Sequence, residues 1–307
     1  MSIAAPSRPI LGCGTLEPRV AAFFDHRTCS VQYVVSDPES GHCAVIDPVL
    51  DYDEKSGSVA TQTADRLLAY MAGQDLTPVW ILDTHPHADH FSAADYLKQR
   101  TGARTGIGAK VVEVQKLWKD LYNLPDTFPT DGSQWDRLFA DRERFSIGNL
   151  EAEVLLSPGH TLASVTYVVG NAAFVHDTLL MPDFGTARCD FPGGSASELW
   201  RTIQRILALP DDTRLFVGHD YMPGGREAAW ESSVAEQRCR NVHLQQARSE
   251  QEFVALRQGR DAKLPMPKLI LHALQINIAA GRLPAPEGNG RRYLKIPLEA
   301  LPTAVWD

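Results

Sequence analysis

The chain has 307 residues, 44% hydrophobic and 22% charged, with a formal net charge of −8 at neutral pH. It is long enough to bury a large core, and an acidic chain without any Lys/Arg cluster excludes a phosphate-backbone partner such as nucleic acid. No apolar run approaches the ~18–20 residues of a membrane span, and residues 1–15 lack a basic stretch followed by an apolar one, so neither a membrane segment nor a signal peptide is expected.

Residues 19–48 read as strands joined by tight turns. The segment 30–35 is apolar and β-branched, Asp37-Pro38-Glu39-Ser40-Gly41 is a turn signal, and 42–48 returns as a second strand. A polar loop is expected over 51–58. From Val59 onward, Ala60, Ala64, Leu67, Leu68 and Met71 recur at helical spacing, with Gly73 where a C-terminal cap belongs. A buried strand at 79–82 and a helix over about 92–100, stopped by Thr101-Gly102, continue a strand–helix alternation that suggests α/β layers.

In the segment 103–140, Gly102, Gly106 and Gly108 have the wrong spacing for a phosphate-binding loop. Residues 111–121 read as a helix with Leu117, Trp118 and Leu121 on its apolar face. Pro125, Pro129 and Gly132 then make 122–135 a loop, expected near the mouth of the active site. Strands resume at 151–156, 164–169 and 172–175, with Gly170-Asn171 as a two-residue hairpin turn. Ser195-Ala196-Ser197-Glu198 has the form of a capping box, opening a helix through Leu199, Ile203, Ile206 and Leu207 that Pro210 closes. A last strand at 215–217 ends in Gly218-His219-Asp220. The second half thus repeats the first in outline, which predicts two sheets face to face with helices outside both. Residues 227–259 look helical, and 265–307 look like a short helix and an irregular Pro-rich tail. No linker sets them apart, so the expectation is one domain over 1–307, with a core of about 20–225 and a C-terminal extension of about 226–307.

The five cysteines, Cys13, Cys29, Cys43, Cys189 and Cys239, are scattered and form no C-x-x-C pair. An odd, sparse set fits free thiols in a reducing compartment, which points to the cytoplasm.

The stretch Asp83-Thr84-His85-Pro86-His87-Ala88-Asp89-His90 stands where the 79–82 strand gives way to the next helix. Three of the chain's ten histidines fall within six residues there. Imidazoles and carboxylates at that density suit a borderline divalent metal, and a strand end fixes ligand directions. His160, Asp177 and His219 also stand at strand ends in the second half. Each alone is a weak signal, but together with the 85–90 cluster they make one coherent ligand set.

Thr84 to His90 resembles the T-H-x-H-x-D-H signature of the metallo-β-lactamase superfamily, and Pro158-Gly159-His160-Thr161 resembles its P-G-H-T motif. Asp177-Thr178-Leu179 and Gly218-His219-Asp220-Tyr221 match the remaining ligand motifs, so the resemblance covers about residues 20–225. It implies an α/β (α+β) fold, the αββα four-layer sandwich, with a metal site at the seam between the sheets. Two branches of that superfamily handle glutathione derivatives. Glyoxalase II enzymes hydrolyse thioesters with two metals, and persulfide dioxygenases, the family of the ethylmalonic encephalopathy protein, use one iron. The stretch Asp183-Phe184-Gly185-Thr186-Ala187-Arg188-Cys189-Asp190-Phe191-Pro192-Gly193-Gly194 resembles the dioxygenase branch.

That similarity implies one Fe(II) per chain, held by His85, His160 and Asp177, and conversion of glutathione persulfide, O₂ and water to sulfite and glutathione. Two His and one carboxylate leave three positions open, enough for a sulfur, O₂ and a water, and hold the reactants together. His87, Asp89, His90 and His219 would complete a second site in the alternative, a dinuclear zinc thioesterase of glyoxalase II type. In the dioxygenase branch they would orient ligands and hold water. Tyr221 and Asp89 are assigned catalytic roles, Tyr221 as a hydrogen-bond donor toward the bound sulfur or oxygen. Arg188 either pairs with a glutathione carboxylate or makes a structural salt bridge. Members usually place Gly before the Asp177 equivalent; this chain has His176, expected to point away from the metal unless the strand bulges. Cys189 suits a small packing slot. A metal-binding sensor without catalysis is disfavoured by the full ligand set. The C-terminal extension offers a contact for a homodimer.

Overall fold

In a computed structural model describing residues 17–301, the chain begins with an antiparallel meander. It consists of β1 (Arg19–Asp25), β2 (Ser30–Ser36) and β3 (His42–Ile46). The 51–58 stretch is not simply a loop. β4 (Val49–Asp53) and β5 (Ser58–Ala60) pair as a short hairpin. After α1 (Gln62–Gly73) and β6 (Thr77–Leu82), β7 (Phe91–Ser92) joins β4 in a small three-stranded sheet. Then come α2 (Ala94–Thr101), β8 (Arg104–Gly108), α3 (Val111–Tyr122) and β9 (Arg137–Phe139). The first large sheet has the order β1-β2-β3-β6-β8-β9.

The second large sheet is built from β10 (Arg144–Ile147), β11 (Leu150–Leu156), β12 (Val165–Val169), β13 (Ala172–His176), β14 (Arg214–Val217) and β15 (Glu231–Ser233), side by side in chain order. Between β13 and β14 lies α4 (Ala196–Leu207), whose first turn is capped by the Ser195 hydroxyl accepting from the Glu198 N–H, as the capping box requires.

Strand alternation sorts side chains between two kinds of core. Val31, Tyr33, Ile46 and Leu82 face inward against Val154, Tyr167, Phe174 and Phe216 of the other sheet. Their outward neighbours Val34, Val45 and Ile81 are covered by Leu67 and Met71 of α1 and Leu97 of α2. Leu199, Ile203 and Ile206 of α4 cover Leu155, Val168, Val175 and Leu215 on the opposite side. Each such fully buried side chain contributes roughly 1.5–3 kcal/mol by leaving water. The result is the expected four-layer αββα sandwich.

β8 is invisible to propensity because it contains two glycines, and the structure supplies the reason. A Cβ on Gly106 would lie 2.5 Å from the Phe139 ring, and one on Gly108 would lie 2.5 Å from Val165. Only glycine fits where the strand is pressed between neighbours. α3 forms as expected, but its buried face is Val111, Val114, Trp118 and Tyr122, with Leu117 and Leu121 only partly buried. The loop 122–135 does not line the mouth of the site. It is tied down elsewhere, with the Gly132 N–H donating to Gln115 and the Trp135 indole donating to Asp83.

The C-terminal part is not one helical run. Ser233, Asn241 and Ser249 cap three separate helices, α5 (Val234–Arg240), α6 (Val242–Gln246) and α7 (Glu250–Asp261), before α8 (Ile270–Asn277). β15 lengthens the second sheet, Phe253 of α7 packs beside α4, and Ala273 and Ile276 of α8 cover the first sheet. Both outer layers thus use residues beyond 225. Cys29, Cys43, Cys189 and Cys239 are free thiols, while Cys13 lies outside the described residues. Among the described residues no helix is long and apolar enough to cross a membrane.

Candidate metal centre

β3 and β6 run parallel, and the residues following them are stitched together. The Asp47 carboxylate accepts from the Thr84 N–H (2.7 Å) and the Thr84 hydroxyl (2.8 Å). Having donated its only proton to Asp47, the Thr84 oxygen can only accept from Nδ1 of His85, 3.0 Å away. That fixes the tautomer and leaves His85 Nε2 as a buried lone pair without a hydrogen-bond partner. His160 is set the same way. Its Nδ1–H donates to the Arg188 carbonyl at 2.7 Å, freeing Nε2. The two free Nε2 atoms lie 3.9 and 3.6 Å from Asp177 Oδ2. Burial pushes both imidazoles below their ordinary range, so they stay in the neutral form that ligates metal. These three donors, from three strand ends, could hold one ion.

Gly159 makes that placement possible. Its φ is +137°, and a Cβ there would lie 2.4 Å from the backbone N and Cα of Leu199 at the start of α4. Gly159→Ala is expected to cost about 2–3 kcal/mol in denaturant melts, because backbone strain and a clash with fixed backbone coincide.

The remaining candidates form a second group, His87, Asp89 and His90, whose donor atoms also lie within 4.8 Å of one another. Asp89 is already engaged and His87 stands beside Asp47, but neither His87 nitrogen completes a hydrogen bond. Burial disfavours a charged His87, but Asp47 Oδ1 at 3.0 Å pushes it up to about 9. His219 lies between two carboxylates, with Nδ1 2.6 Å from Asp177 Oδ1 and Nε2 2.8 Å from Asp89 Oδ2. Despite its burial, Asp177 and Asp89 hold it protonated, well above the usual histidine range. His90 donates from Nδ1 to the Phe91 carbonyl and leaves Nε2 without a partner.

The first group opens onto a cavity of about 360 Å³ walled by Leu180, Phe184, Ala187, Phe191 and Leu264. Tyr221 stands at its rim, 48% exposed, its ring parallel to that of His219 with centroids 5.8 Å apart. His219 draws the phenol down, but burial and the Asp177 and Asp89 carboxylates push it up to about 12, so it remains a donor at neutral pH.

Arg188 lines the cavity but is occupied. Its fork binds both oxygens of Asp190 at 2.7 Å, and its third nitrogen donates to the Pro265 carbonyl. The structural salt bridge is therefore the observed arrangement. Arg257 and Arg260 of α7 line the same cavity and were not legible as site residues; their i,i+3 spacing, which puts both on one helix face, was the available signal. Arg257 is committed to Asp261 and the Thr186 carbonyl. Cys189 is buried, as a packing role requires, with its N–H donating to Asp261.

His176 does not point away from the centre. Alternation along β13 puts Ala172 and Phe174 in the inter-sheet core, so residue 176 belongs to the inner face. The register with β14 slips between Phe174 and His176, and His176 takes a left-handed φ of 41°. That irregularity lets Asp177 face the centre as well. The His176 ring packs 5.4 Å from the His85 ring, and its Nε2 is 2.9 Å from the Thr178 hydroxyl. Asp47, like Arg257 and Arg260, went unrecognised. Like the other residues of the centre, it follows a strand, which was its only local mark.

Comparisons with known proteins identify the family and the fold. The family model described as Metallo-beta-lactamase superfamily matches residues 28–219. A "Beta-lactamase hydrolase-like protein" of Agrobacterium fabrum is 68% identical over 94% of this chain, which spans 67% of that longer protein. The human "Persulfide dioxygenase ETHE1, mitochondrial" is 27% identical over 84% of this chain and 87% of its own length. Among solved structures, ETHE1 from Myxococcus xanthus superposes with a TM-score of 0.69 at 30% identity, covering 86% of this chain and all of that one. The chain is a member of the metallo-β-lactamase superfamily.

Proposed function

We propose that this chain is a persulfide dioxygenase that binds one Fe(II) through His85, His160 and Asp177 and acts in the cytoplasm on glutathione persulfide. The observation that carries the reading is the first donor group itself. His85 Nε2 is a buried orphan, His160 Nε2 is freed by the Arg188 carbonyl, and both face Asp177 Oδ2. In the second group Asp89 is already hydrogen-bonded to His219 and His87 stands 3.0 Å from Asp47, although His87 Nδ1 and His90 Nε2 are without partners too. A buried polar atom without a partner is costly, and a cation at the first group would relieve that cost. Bound Fe(II) in a two-His, one-carboxylate set supplies O₂-activating redox chemistry and keeps positions open for reactants.

The protein's own groups do the rest. Apolar walls from Leu180, Phe184 and Phe191 keep bulk water away from the persulfide. Tyr221 donates toward the sulfur or oxygen, and Asp89 with His219 holds the water that the reaction consumes. With Arg188 paired to Asp190, Arg260 at the cavity wall is the better anchor for a glutathione carboxylate. Overall, glutathione persulfide, O₂ and water give glutathione, sulfite and two protons. The names and structure of the two ETHE1 relatives support this branch.

A dinuclear zinc thioesterase is the second reading. It is favoured by the complete His87, Asp89 and His90 group and by the hydrolase-like name of the 68% identical relative. Purified protein separates the two by metal content, O₂ uptake with glutathione persulfide, and hydrolysis of S-lactoylglutathione. One iron per chain and O₂ uptake are expected. Two zinc per chain with thioester hydrolysis and no O₂ uptake would overturn the proposal.

A further inference from the structure

The backbone from 85 to 90 belongs to neither helix nor strand, so its buried carbonyls have no ladder to bond to. Asn277, the last residue of α8 and 2% exposed, fills that need. Its amide donates to the His87 carbonyl and the His90 carbonyl, both at 2.7 Å, and its Oδ1 accepts from the Ser92 N–H at 2.8 Å. The turn after α8 presses on the same segment. A Cβ on Gly281 would lie 2.4 Å from the Ser92 carbonyl oxygen, so only glycine lets the two backbones come so close. The Ser92 hydroxyl in turn donates to Asp83 at 2.7 Å, which ties the clamp back to the end of β6.

We infer that Asn277 is a positioning residue of the metal centre: one amide side chain, from a helix outside the 28–219 family match, clamps both sides of the His87–His90 segment and so sets the loop that begins at His85. Cut loose, the segment would let His87 drift from Asp47 and Asp89 from His219, the charged partners that now hold the two side chains in place. Outer groups that orient ligands are typically worth 10–100-fold in metal affinity. The inference rests on the reading that His85, His160 and Asp177 hold the metal, but its test separates the two.

The test titrates metal-free protein with Co(II) under metal buffering, in wild type and Asn277→Ala, reading affinity, stoichiometry and the visible bands of the bound ion. A 10–100-fold weaker affinity, unchanged stoichiometry and altered bands are expected. Wild-type affinity and bands in Asn277→Ala would overturn the inference. Should that variant not fold, amide exchange in the metal-free wild type decides. A Ser92 N–H protected as strongly as the amides of β6 supports the clamp, and fast exchange there defeats it. Two ions per wild-type chain would sink the one-metal reading and leave the ratio of affinities to judge Asn277.

Discussion

Asp177→Ala is expected to strip the chain of its metal and cut turnover by on the order of a thousandfold or more, while the sandwich stays folded. A metal contributes several kcal/mol to a reaction it serves, and each ~1.4 kcal/mol is a factor of ten. Asp177 is the hub of the centre. One oxygen faces His85 and His160, and the other is 2.6 Å from His219. The fold survives because the charge left behind can adjust. His219 owes its raised proton affinity first to Asp177 and then to Asp89, so losing one partner lets it shed the proton rather than stay buried and charged. Metal analysis, O₂ uptake and circular dichroism on one preparation test this together. A folded Asp177→Ala protein that kept its metal and its turnover would remove Asp177 from the ligand set.

The residues that gather at this centre were legible because metal chemistry restricts residue type, and strand ends restrict position. His85, His87, Asp89 and His90 announce themselves within one short stretch, and His160, Asp177 and His219 repeat the pattern. What was illegible depends on tertiary contact. Asp47 precedes Thr84 by 37 residues, and Asn277 follows His87 by 190, so no local pattern couples either to the loop it holds. β8 hid behind two glycines whose purpose appears only when Phe139 and Val165 are beside them. The direction of His176 turns on a strand irregularity. Alternation from Ala172 and Phe174 puts residue 176 on the inner face, and the bulge that the sequence left open as an exception lets Asp177 reach the centre as well. For Arg188 two readings stayed open, substrate anchor or structural salt bridge, because a lone arginine in a motif does not reveal that Asp190, two residues on, takes its fork.

Asp261→Ala should produce the largest loss of stability, about 3–5 kcal/mol, and a fall in melting temperature on the order of 10 °C. Arg257 and Asp261 are 2% and 4% exposed and pair one turn apart on α7. Removing the carboxylate leaves a guanidinium in the interior with the Thr186 carbonyl, 3.1 Å away, as its remaining partner. The damage reaches the metal centre by a short path. Asp261 also accepts from the Cys189 N–H, and residue 188 supplies the carbonyl that orients His160. Loosening 186–189 should therefore weaken metal binding by roughly tenfold, as expected when an outer partner of a ligand is lost. The double change Arg257→Met with Asp261→Ala discriminates between causes. With the charge gone and an apolar side chain in its place, most of the lost stability should return. Metal affinity should stay low, because the hydrogen bond to Cys189 is still missing. A single Asp261→Ala variant that melts within 2 °C of wild type would mean that the pair is hydrated in solution and that α7 does not brace the loop behind His160.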